Sequence, residues 1–120
     1  MAFADPYVLT IGAATPSLAA VSRGDNTTTY RSGDSLVQAK VSHSYGKVNR
    51  SVVRIDFTKI AADPFAPSVN QKFTHSAYVV YQRPAVGFTT TEQADLIKGL
   101  LAKMSATTYA DVTKLVAGEN

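Results

Sequence analysis

The 120 residues contain no cysteine, which excludes a disulfide framework, a thiolate metal site and a thiol nucleophile. No apolar run approaches the roughly 20 residues that a membrane-spanning helix needs, so no membrane partner is expected. The N-terminal stretch lacks a charged start followed by an apolar core, so no signal peptide is expected, and the expected compartment is the cytoplasm. The two histidines, His43 and His75, stand in no ligand spacing with another His, Asp or Glu, and no metal or cofactor is expected. Gly24, Gly33 and Gly46 are isolated and form no phosphate loop. Ser42, His43 and Ser44 offer hydroxyls beside a base, but neighbours in a strand point to opposite faces and cannot cooperate. Asp25 and Asp34 fall in turn chemistry, where an acceptor side chain holds the local backbone. No catalytic set converges, and the chain is not expected to be an enzyme.

An apolar fraction of 45% suits a folded protein, and the length suits a single domain over 1–120 whose core has little margin. Oligomerisation would add to that core. PYVLTIG and PSLAAVSR read as a hairpin joined by Gly12-Ala13-Ala14-Thr15, and NTTTYRS as a third short strand closed by Ser32-Gly33-Asp34. In DSLVQAKVSHSY, alternation sets Leu36, Ala39, Val41, His43 and Tyr45 on or near one face against Lys40, Ser42 and Ser44. After a short loop at 45–49, RSVVRIDFT sets Ser51, Val53, Ile55 and Phe57 against Arg50, Val52, Arg54, Asp56 and Thr58. SAYVVYQR sets Ala77, Val79, Tyr81 and Arg83 against Ser76, Tyr78, Val80 and Gln82. Between the last two, Asp63-Pro64-Phe65-Ala66-Pro67-Ser68 is an exposed loop. One face of this sheet is thus apolar and the other basic, hydroxylic and aromatic.

Charge follows the strands. Residues 23–83 hold nine basic and four acidic groups, +5, whereas 1–22 and 84–120 carry −1 each. A polyanion such as RNA fits the polar face, with Asp56 orienting Arg54 or a base. After Pro84 the period becomes helical. Thr89 stands three residues before Glu92 and Thr90 three before Gln93, each spacing able to make a capping box; Ile97, Leu100, Leu101 and Met104 then share one face. Ser105-Ala-Thr-Thr breaks this helix, and Thr108 with Asp111 can start a second, which Gly118 ends. The expected class is α+β: an N-terminal β-hairpin and antiparallel meander sheet (1–83) followed by two C-terminal helices (84–120). The open edge of the last strand favours a two-fold dimer that pairs the sheets edge to edge.

QAKVSHSYGKVNRSVVRIDF, then HSAYVVYQR, then the Thr-capped helix ending LIKGLLAKM, resembles the coat protein of single-stranded RNA bacteriophages of the levivirus type, over nearly the whole chain. The resemblance implies an interlocked two-fold dimer with a continuous sheet, its helices crossing the partner. It implies dimers that close into an icosahedral shell around the single-stranded genome, with the helix-free face inward, so that the protein resides in the virion after assembly in the cytoplasm of a bacterial host. Carried over residue by residue, the RNA contacts are Lys40, Ser42 and Ser44 on one strand, Arg50, Arg54 and Asp56 on the next, and the base-stacking Tyr78 on the third. Val52 and Val80 depart from the family's more polar pattern. The implied RNA partner includes a hairpin operator, through which the protein would repress translation, and the loop from Ile60 to Val69 implies contacts at symmetry axes of the shell.

Two other readings compete. A free dimeric RNA-binding regulator would use the same platform without forming a shell, and a sizing column separates the two. A small α+β enzyme with its site between sheet and helices would need a buried cleft holding paired polar groups.

Overall fold

The structure, a computed structural model, describes residues 3–120. It comprises two compact units, one extending to Gln82 and the other from Arg83 to Asn120. The first is a six-stranded sheet in simple sequence order: β1 (Tyr7–Val8), β2 (Ser17–Arg23), β3 (Thr27–Ser32), β4 (Val37–Ser44), β5 (Val48–Ala62) and β6 (Asn70–Pro84). The meander follows from its turns. Gly12 takes φ +61° in the first, a backbone conformation that side chains disfavour, and the Ile11–Ala14 bridge closes it. In the turn after β3, Asp34 Oδ1 accepts from the Ser32 hydroxyl at 2.6 Å and the Leu36 N–H at 3.0 Å, as its turn chemistry predicts. The link from β4 to β5 is shorter than expected, because Val48 and Asn49 already belong to β5. Asp63 organises the loop after β5, accepting from the Phe65 N–H at 2.8 Å and from Gln71 Nε2 at 2.7 Å, while Phe65 stands 98% exposed at the tip.

One face of the sheet carries the core. Leu18, Tyr30, Val37, Ala39 and Val41 are buried, with Tyr7, Leu9, Ile11, Ala20, Val53, Ile55 and Phe57 packed against them. The register Val37↔Phe57, Ala39↔Ile55, Val41↔Val53 sets these side chains opposite one another, the cross-strand pairing that stabilises sheets. Leu36 is a correction: Val37 takes the core position, since side chains alternate with a period of two. His43 bonds Ser51 Oγ through Nδ1 at 2.9 Å on this same side, a structural use of the ring.

The second unit is α1 (Thr90–Val116). The Thr89–Glu92 capping box forms in both directions, with Thr89 Oγ1 accepting from the Glu92 N–H at 3.2 Å and Glu92 Oε2 from the Thr89 N–H at 3.0 Å. The expected break is present inside one 27-residue element, where Ala106 is extended and Thr107, Thr108 and Tyr109 are left-handed. Thr108 therefore does not cap a second helix, because an N-cap residue needs extended backbone and Thr108 has φ 54°. Gly118, at φ +80°, follows the C-terminus. No residue of α1 is buried in the single chain: Leu96 is 70% exposed, Leu100 57% and Leu101 47%.

Candidate nucleic-acid interface

The pairing that turns Val37, Ala39 and Val41 inward turns their neighbours outward. Opposite one another across β4 and β5 stand Gln38 and Asp56, Lys40 and Arg54, Ser42 and Val52, and Ser44 and Arg50. Lys40 beside Arg54 is unfavourable for folding, since like charges directly across a sheet repel. Among the described residues neither Lys40 nor Arg50 has a carboxylate partner. Lys40 and Arg50 thus stand on this face as cations that no carboxylate of the described residues balances.

Arg54 is held on three sides. Its Nε donates to Asp56 Oδ1 at 3.0 Å, a terminal nitrogen donates to Ser76 Oγ at 3.3 Å, and the guanidinium carbon lies 5.8 Å from the centre of the Tyr78 ring. The Ser76 hydroxyl in turn donates to Asp56 Oδ1, closing a small network. That hydroxyl, ahead of the hydrogen bond and charge of Arg54, holds the Asp56 carboxyl below the usual carboxylate range. An exposed ion pair contributes only about 0–1 kcal/mol and a surface cation–π contact about 0.5–1 kcal/mol, so the network matters chiefly for geometry. Next to it, Arg50, Val52, Arg54, Tyr78 and Val80 line a shallow cavity of about 250 Å³. Its lining joins two valines and two arginines to Tyr78, which is 62% exposed.

No protein-family model matches the chain, nor does any curated protein sequence. Solved structures do match. The virus-like particle of bacteriophage AVE019 aligns over 98% of this chain and 97% of its own, with TM-score 0.79 and 13% identity. The capsid protein of bacteriophage GA aligns over 95% and 94%, with TM-score 0.63 and 15% identity. An unassembled virus coat protein dimer, a bacteriophage RNA-binding dimer, aligns over 95% and 93%, with TM-score 0.55 and 14% identity. The chain has the RNA phage coat protein fold.

In this coat-protein fold all seven residues singled out from the sequence occur on β4, β5 and β6. Lys40, Ser42, Ser44, Arg50, Arg54 and Asp56 interleave on paired strands, and Tyr78 reaches them through Arg54. Sequence reasoning passed over Ser76 as a functional residue, although its place two residues before Tyr78 puts it on the same face. Val52 and Val80, which depart from the family's more polar pattern, line the cavity. Among the described residues no three His, Cys, Asp or Glu side chains cluster as a metal site.

Proposed function

We propose that this chain is a phage coat protein, a structural component that pairs as dimers, closes into a shell and packages single-stranded RNA on the polar face of its sheet. The observation that carries this reading is the direct opposition of Lys40 and Arg54 across β4 and β5, with Lys40 unmatched by any carboxylate among the described residues and the exposed Tyr78 ring beside Arg54. Lys40, Arg50 and Arg54 neutralise phosphates, the Ser42 and Ser44 hydroxyls contact phosphate or sugar, Asp56 orients Arg54, and Tyr78 stacks on an unpaired base. The fold similarity supports assembly, since the matched structures include virus-like particles. The exposed leucines of α1 support pairing, because a second copy that covered them would remove apolar surface from water. On this reading residues 1–120 form one coat-protein domain, with 1–83 supplying the sheet and 84–120 the dimerisation part, and the protein resides in the virion after assembly in the bacterial cytoplasm.

The finer role is recognition of an RNA hairpin as translational repressor. Expression of the chain alone tests the main reading: closed particles that retain host RNA are expected in electron microscopy and light scattering. Dimers alone, over a wide range of protein concentration in mild salt, would leave the free RNA-binding regulator instead. Titration with a stem-loop against random RNA of the same length tests the hairpin role, which requires tighter binding of the stem-loop.

A further inference from the structure

β3 lies outside the three strands to which RNA contacts have so far been assigned, yet it shares their polar face. Its register with β4 pairs Thr27 with Ser42, Thr29 with Lys40 and Arg31 with Gln38. The register of β4 with β5 continues each row to Val52, Arg54 and Asp56. Thr27, Thr29 and Arg31 therefore alternate outward while Tyr30 and Ser32 are buried on the other side. On β2 the residue opposite Arg31 is Ala19, whose small side chain leaves the guanidinium uncrowded. Among the described residues Arg31 has no carboxylate partner, and the acid in its own row, Asp56, is two strands away and bound to Arg54 and Ser76.

Resting on the RNA reading above, we infer that the RNA surface continues from β4 onto β3, where Arg31 binds a phosphate of the strand running away from the Tyr78 cavity. The Thr29 and Thr27 hydroxyls contact the adjoining phosphate and sugar. The partner is a single strand long enough to span the sheet, because strands lie about 4.8 Å apart and β3 is three spacings, roughly 14 Å, from β6. A nucleotide held on Tyr78 cannot reach Arg31, so the two sites serve different parts of one RNA. The charge fits this use: Arg31, Lys40 and Arg54 step across three neighbouring strands as separate cations, each able to displace a counterion from the RNA.

Fluorescence anisotropy with labelled oligouridylates of two and of twenty nucleotides, over a salt series, tests this on the full chain. Arg31→Gln should lower the slope of log affinity against log salt by about 0.7 for the longer RNA, the loss of one phosphate contact on a single strand. It should leave the two-nucleotide RNA unchanged, and Arg31→Lys should restore the slope. If Arg31→Gln leaves both slopes as they are, or lowers both equally, the extension onto β3 is wrong while the RNA reading stands. If the unsubstituted chain binds neither RNA, the RNA reading itself fails and the extension with it.

Discussion

The two faces of the sheet obey opposite rules. On the core face, Leu18 and Ala39 are fully buried and Tyr30 nearly so, and the cross-strand neighbours Ala39 and Ile55, Val41 and Val53 are apolar pairs that gain from contact. On the polar face the equivalent neighbours include two cations opposite one another, a serine opposite an arginine, and a tyrosine left 62% exposed. The same backbone and register serve both. What differs is whether the side chains satisfy each other, and on the proposed reading it is the face with incomplete interactions that binds RNA.

The largest expected effect lies on the complete face. Leu18→Ala should lower folding stability by about 2–5 kcal/mol, because it removes a fully buried side chain from a closely packed cluster. Urea unfolding measures the loss, and RNA affinity per folded protein should not change. A loss below about 1 kcal/mol would mean that this face is no better packed than the other. Leu100→Ala is the counterpart in α1, where 57% exposure in the single chain predicts little effect unless a second copy covers it. Dilution series should show the Leu100→Ala dimer dissociating at higher concentration than the parent, and identical dissociation would remove α1 from the interface.

On the incomplete face the signs reverse. Tyr78→Ala should weaken binding of a hairpin RNA by about 1–3 kcal/mol, the usual worth of stacking a base on an aromatic ring, while the unfolding midpoint hardly moves. Equal weakening for hairpin and random RNA would reduce Tyr78 to a surface filler. Lys40→Thr separates the faces further, since removing one of two opposed cations should raise stability by about 0.2–1 kcal/mol while flattening the salt dependence of RNA binding. A drop in stability would show that the Lys40–Arg54 opposition is not repulsive.

Much of this division was legible in the alternation of DSLVQAKVSHSY and RSVVRIDFT, because a period of two on paired strands needs only the register to become a face. The capping box at Thr89 was equally legible, being local chemistry over three residues. Three features were not. In the Arg54–Asp56–Ser76 network, Ser76 lies 22 residues from Arg54 and 20 from Asp56, and only the pairing of β5 with β6 brings it to them. The left-handed run at Thr107–Tyr109 opposes the intrinsic preference of threonine, so propensity pointed to a cap where the backbone turns the other way. Arg31 needed the register of β3, although Thr27, Thr29 and Arg31 already alternate with the buried Tyr30 and Ser32.

The smallest effect concerns the turn that joins the core strands β3 and β4. Asp34 is held below the ordinary carboxylate range, first by the Ser32 hydroxyl and then by the Leu36 N–H. Ser32 Oγ also accepts from the Val37 N–H at 3.1 Å, which ties the turn to a buried residue of the core. A carboxyl whose folded pKa is depressed binds its proton more readily in the unfolded chain. Its contribution is therefore fully present above the unfolded value of about 3.9 and is lost as pH falls through the lower folded value. Asp56, lowered by Ser76 and Arg54, acts with the same sign on the polar face. Stability should thus decline in acid from both faces at once, and single substitutions separate the two. Asp34→Asn keeps an acceptor oxygen for Ser32 and Leu36 but cannot titrate, so its unfolding free energy should fall less steeply than the parent's below pH 4. Asp56→Asn should flatten the same acid limb and in addition remove a negative charge beside Arg54, tightening RNA binding at neutral pH where Asp34→Asn leaves it unchanged. If both variants alter RNA affinity alike, the turn and the polar face are not independent and the division between the two faces fails.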